Sequence, residues 1–258
     1  MAADPRAVLT RPAPAPDATV RYGEHPDQVA DVRLPAGDHD APPRPLVVVI
    51  HGGFWRAEYD RTHTGPLAAD LAARGYPVAQ LEYRRTGQPG GGWPGTFEDV
   101  ANGIAALPRL VSTVVAGPPI LLGHSAGGHL AIWYATTGAA VRGVVALAPV
   151  ADLAEGYELD LDGGAVAALL GGGPEEVPER YVAADPTLRV PPQSPTVVIH
   201  GELDRQVPAE MSRRYAARAR ADGGDVTLIA LPESEHFGLI DPLSSAWPRV
   251  TEALHSLH

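Results

Sequence analysis

The chain has 258 residues, 45% of them hydrophobic and 20% charged, which suits one large α/β domain with room for a sizeable core. Its net charge of −11 is a poor electrostatic match for nucleic acid or an anionic membrane, so neither is expected as a partner. Cysteine is absent and all 20 basic residues are arginine, which removes disulfides, thiolate nucleophiles, a phosphate-loop lysine and lysine Schiff bases, and leaves Ser, Thr, Asp, Glu, His and Tyr as nucleophiles.

The first residues, MAADPRAVLTRPAPAP, lack the basic-then-apolar order of a signal peptide, and no apolar run approaches a membrane span. A cytoplasmic protein is expected on that ground. Residues 1–19 read as an extended arm and 20–258 as a single catalytic domain. QVADVRL (28–34) has strand character and DHDAPPRP (38–45) reads as a turn. LVVVIH (46–51) is a continuous apolar, β-branched run, the pattern of a strand buried on both faces. THTGPLAADLAARG (62–75) has helical spacing and stops on glycine. PVAQLEY (77–83) is a strand and TFEDVANGIAALPRL (96–110) a helix. PPILLGHS follows, then a helix from Ala126 to about Thr137 and the strand VRGVVALAP (141–149). The stretch 150–195 is less regular and reads as a small cap at most, with GGAVAALLGG as a short helix. The last elements are the strand TVVIH (196–200), a helix over 209–223, the strand VTLIALP (226–232) and a C-terminal helix from about Leu243.

Strands alternating with helices predict a mostly parallel central sheet with helices on both faces. In such sheets ligands bind at the carboxyl ends of the strands. Four segments follow apolar runs there: HGGFW, GHSAGG, HGELD and ESEHFG. Gly123-His124-Ser125-Ala126-Gly127 falls where a strand ends and a helix begins. Small flanking residues permit a sharp turn that pushes the serine hydroxyl out of the sheet, and the helix aims its N-terminal N–H groups at the same place. A serine needs a base. His236 follows the last strand and can reach over the sheet edge, whereas His51, His124 and His200 sit beside glycines and read as loop-orienting. The base in turn needs an acid to hold its tautomer. Asp204 is favoured, with Glu202 as its competitor. In HGGFW, glycine freedom lets N–H groups turn toward a developing oxyanion, with Gly53, Phe54 and Ala126 as donors.

The order Ser125, Asp204, His236 is that of the α/β-hydrolases. The chain resembles the esterase/lipase branch of that superfamily over roughly residues 28–257. HGGFW is similar to the HGGxW of serine-type kynurenine formamidases, and GHSAGGHLA to the nucleophile turn of both those enzymes and hormone-sensitive-lipase-like carboxylesterases. HGELDRQVP resembles the acid loop of prolyl-oligopeptidase-type catalytic domains. EYRRTGQPGGGWPGTFEDV is similar to the YR…P…D segment of the branch, which implies an ion pair between Arg84 and Asp99. The resemblance implies an α/β-hydrolase fold with little or no lid, no cofactor and no metal. It implies a small-molecule ester or amide as substrate, cleaved through an acyl-serine. Trp55, Tyr83, Trp93 and Tyr157 are candidate substrate-binding walls. An acyltransferase or lyase with the same triad, or a ligand-binding receptor on this fold, is the alternative.

Overall fold

The computed structural model describes residues 4–35, 43–111 and 115–257. Eight strands form one sheet: β1 (Ala18–Arg21), β2 (Val29–Arg33), β3 (Val47–Ile50), β4 (Val78–Leu81), β5 (Ile120–His124), β6 (Gly143–Leu147), β7 (Thr196–Gly201) and β8 (Val226–Leu231). Their spatial order is β1-β2-β4-β3-β5-β6-β7-β8, antiparallel at the first two pairings and parallel from β4 onward. The central strands are apolar because both their faces are covered. Val48 and Ile50 of β3, with Leu121 and Val144, pack into one core, whereas Val47, Val49, Leu122 and Val145 pack into the other. The period-2 alternation of side chains across a strand produces this split.

The first face is covered by α2 (Gly95–Leu110), α3 (Ala126–Ala135) and α7 (Ala209–Ala221), through residues such as Ile104, Leu130 and Tyr215. The second face carries α1 (Gly65–Ala73) and α8 (Trp247–Ser256), through Leu71 and Leu254. Burying one such side chain contributes about 1.5–3 kcal/mol. Between β6 and β7 lie three short helices, α4 (Leu153–Glu158), α5 (Ala165–Leu170) and α6 (Pro178–Ala184). They are fastened to α3, where Trp133 Nε1 donates to Ala183 O at 3.0 Å and His129 Nε2 to Ala184 O at 3.0 Å.

Three expectations are corrected. The arm is not extended throughout: Pro5–Thr10 form a 3-10 turn, begun by Asp4 accepting from the Arg6 N–H, and Val8 is completely buried on the second face. Strand β1 was missed because its residues are mostly exposed and carry no apolar alternation; the β2 ladder holds it. The C-terminal helix starts at Trp247, not Leu243, because the intervening residues make turns closed by Ser244 Oγ on Gly238 O. The turn expected over 38–45 falls largely outside the described residues. Among the described residues, no helix is long and apolar enough to cross a membrane.

Candidate active site

Ser125 stands between β5 and α3 with φ 55° and ψ −118°, a conformation that side chains other than glycine rarely adopt. The two flanking glycines make the turn possible. A Cβ on Gly123 would sit 2.2 Å from Gly127 O, and one on Gly127 would sit 2.1 Å from Ile50 O. Any larger residue at either position would therefore drive α3 away from the sheet. The Ser125 N–H donates to Leu147 O at 2.8 Å, and its carbonyl accepts the first α3 bond from His129 N at 3.0 Å. Ser125 is only 2% exposed, and the strain is held in place by packing on every side.

His236 and Asp204 meet as expected from sequence. His236 Nδ1 lies 2.6 Å from Asp204 Oδ2. A carboxylate can only accept, so Nδ1 carries the proton and Nε2 is left with its lone pair. Asp204 is well supplied with donors: Gln206 N at 2.7 Å and Val207 N at 2.9 Å on Oδ1, and His200 Nε2 at 3.2 Å on Oδ2. Burial would raise this carboxyl, but hydrogen bonds from His200 and His236, the His236 ring and the Val207 N–H outweigh it and hold Asp204 below the ordinary range. Glu202, the competitor, instead pairs with Arg213 at the surface.

His124 joins the serine turn to the histidine loop. Its Nε2 donates to His236 O at 3.1 Å, and the two rings lie 4.5 Å apart. Burial, then the neighbouring His236, push His124 well below the usual histidine range, so it stays neutral.

The HGGFW loop bends back over this turn. Gly53, Phe54 and Trp55 all have positive φ, at 109°, 48° and 57°. Gly52 packs on the serine so closely that a Cβ there would lie 3.0 Å from Ser125 Cβ. His51 Nδ1 is 2.8 Å from Gly52 O. In a trans peptide the N–H points opposite to its carbonyl, so holding Gly52 O on the His51 side turns the Gly53 N–H the other way. His51 is itself held through Nε2 by Glu82 at 2.9 Å, and it stacks on Tyr83 with ring centroids 4.5 Å apart. Burial works against the Glu82 charge, but His51, Arg85 and the Arg61 N–H together bring its pKa down to about 2. No hydrogen-bond acceptor among the described residues takes the N–H groups of Gly53, Phe54 or Ala126.

The aromatic expectations divide. Trp55 and Tyr83 are fully buried, so neither offers a surface that a substrate could touch. Trp55 meets His129 edge-on, and Tyr83 donates its hydroxyl to His51 O at 2.8 Å; both brace the HGGFW loop from behind. Trp93 is half-buried against Phe97 and Tyr157 is exposed over Gly173. Neither makes a ring contact or side-chain hydrogen bond with Ser125, Asp204 or His236. Arg84 and Asp99 form the expected pair, bidentate at 2.7 and 2.8 Å. Sequence reading missed two features. One is the second histidine on Asp204, for which the only signal was the HG-x-x-D spacing of His200 and Asp204. The other is Arg6, whose guanidinium lies 5.6 Å from the ring centroid of Phe237, the residue after His236.

Residues 30–218 match the family model described as BD-FAE. Esterase LipC of Mycobacterium tuberculosis is 29% identical over 86% of this chain and 60% of its own length. Kynurenine formamidase of Danio rerio is 31% identical over 46% of this chain and 38% of its own length. The chain thus spans less than two thirds of the length of these curated relatives. Among solved structures, esterase B from Lactobacillus rhamnosis superimposes with a TM-score of 0.80 at 20% identity, covering 98% of this chain and 89% of that one. The architecture is that of the α/β-hydrolases, as the sequence implied.

Proposed function

The chain belongs to the BD-FAE family, and from that premise we propose that it is a serine hydrolase cleaving a small ester or amide, with a carboxylic ester as the first reading. The observation that carries it is the strained Ser125 in the β5–α3 turn, close against the Gly52 backbone, with the His236–Asp204 pair joined to the same turn through His124. In this reading Ser125 Oγ attacks the substrate carbonyl while His236 Nε2 takes its proton. The tetrahedral oxyanion is met by the N–H groups of Gly53, Phe54 and Ala126. His236 then gives the proton to the leaving alcohol or amine as the C–O or C–N bond breaks. Water, deprotonated by the same imidazole, releases the acid from the acyl-serine. Asp204 keeps the imidazole in the required tautomer. Trp93 and Tyr157, which retain accessible ring surface, are the aromatic walls this reading keeps.

A formamide is the second reading, favoured by the HGGFW loop and by the local likeness to a kynurenine formamidase. Hydrolysis of p-nitrophenyl acetate, p-nitrophenyl octanoate and N-formylkynurenine by wild type and Ser125→Ala tests both. We expect acetate to be the better ester and Ser125→Ala to lower kcat by about 10³-fold or more. Activity that survives the substitution overturns the reading. Preference for N-formylkynurenine would move the substrate class to formamides.

A further inference from the structure

A cavity of about 390 Å³ opens beside His236 and is walled partly by the N-terminal arm. Arg6 comes from the arm, Arg205 and Gln206 from the loop after Asp204, and Glu235 and Phe237 flank the histidine itself. Neither Arg6 nor Arg205 forms an ion pair with another described residue. Glu235, the one acid among these residues, has both carboxylate oxygens taken by the N–H groups of Phe237 and Gly238. Two arginines without an ion-pair partner among the described residues thus line a small cavity in a chain whose net charge is −11.

The arm is fixed here by structure. Val8 is fully buried among Leu239 and its neighbours, and Arg11 forms a bidentate pair with Asp241. Arg6 lies over Phe237, whose ring meets that of His236 edge-on with centroids 5.1 Å apart.

We propose that this cavity is a subsite for a carboxylate on the leaving group of the substrate, read by Arg6 and Arg205. The inference rests on the hydrolase reading above. There His236 hands its proton to the leaving group, and the cavity is lined by His236 but by neither Ser125 nor the oxyanion loop, which assigns it to the leaving half rather than the acyl half. Guanidinium groups with their donors free recognise a carboxylate through charge-assisted hydrogen bonds. The substrate class is then an ester or amide whose released alcohol or amine is an acid, in size near a hydroxyphenyl acid.

The test uses 4-acetoxyphenylacetate and its methyl ester, whose phenol leaving groups have closely matched acidity. Wild type should favour the acid over the methyl ester in kcat/KM by about 10-fold or more at low salt. That ratio should fall in Arg205→Ala and in Arg6→Ala and reverse in Arg205→Glu. Equal or better use of the methyl ester by wild type overturns the subsite while leaving the hydrolase reading intact. If neither compound is hydrolysed while p-nitrophenyl acetate is, the subsite is overturned; if p-nitrophenyl acetate is not hydrolysed either, the hydrolase reading fails and calorimetric binding of 4-hydroxyphenylacetate decides the subsite alone. Binding that is lost in both alanine variants sustains it, and absence of binding by wild type overturns it.

Discussion

Two histidines share one oxygen of Asp204, and their neighbours assign them different work. His236 presents Nδ1–H to the carboxylate, which leaves Nε2 with its lone pair. His200 is turned the other way: Nε2 faces Val207 O at 3.0 Å as well as Asp204, and Nδ1 meets Ser212 Oγ at 2.7 Å. A carbonyl forces the proton onto Nε2, so His200 is a positioning residue that donates to the acid without exchanging its proton. His200→Asn removes that donor, and kcat for p-nitrophenyl acetate should fall about 10-fold with KM little changed. His200→Gln, which can still reach with an amide N–H, should recover part of the loss. An unchanged kcat in the Asn variant would show that Asp204 needs only its two backbone donors. Glu82 gives a residue-scale prediction about pH. Its folded pKa of about 2 lies below its ordinary 4.5, so its ionised form favours the folded state. That stability is present above about pH 4.5 and is lost as pH falls toward 2. Urea midpoints measured across this window should decline steeply in wild type and less steeply in Glu82→Gln. Parallel slopes would contradict the assignment.

At the scale of elements, the segment between β6 and β7 hangs on one buried carboxylate. Asp185 accepts from Leu153 N at 2.9 Å and Ala154 N at 3.2 Å at the start of α4, and from Thr187 N and Oγ1 at 2.8 and 2.7 Å after α6. All four partners donate. Asp185→Asn would set an amide NH₂ against donors in a fully buried site, and should lower the unfolding free energy by about 1–3 kcal/mol. Hydrogen exchange should quicken in α4 and α6 before it does so in the sheet; uniform protection would show that the bonds to α3 and apolar packing hold this segment without Asp185. The long elements were legible because each carries its own signal. Strands β3 and β6 are unbroken apolar runs, and α1 and α7 stop at a glycine just beyond the last helical turn. β1 and the 3-10 turn of the arm were not legible, because pairing with β2 and burial of Val8 come from partners distant in the chain. The same contrast holds at the candidate site. Ser125, Asp204 and His236 each follow an apolar strand, so their place at the carboxyl edge of the sheet, and the pairing of His236 with Asp204, could be read. Trp55 and Tyr83 were read as walls because an aromatic beside a glycine loop looks alike in sequence whether it faces solvent or the core.

For the whole molecule, the arm is the feature that ties chain ends to the candidate site. Val8 fills the second face, and Arg11 grips Asp241 shortly after the His236 loop. Arg11→Ala should leave the sheet folded but raise the rate of limited proteolysis within residues 4–17, because the arm then loses its ion pair with Asp241. Equal cleavage in both proteins would mean that the Arg11–Asp241 pair does not hold the arm. We propose that strain, helix dipole and the His236–Asp204 pair together make Ser125 the nucleophile. This central proposal is tested most directly by treating the protein with a fluorophosphonate and locating the adduct by peptide mass. The account predicts one adduct on Ser125, none in Ser125→Ala, and labelling slowed by orders of magnitude in Asp204→Asn. An adduct on another residue, or a folded wild type that takes no label, would contradict it.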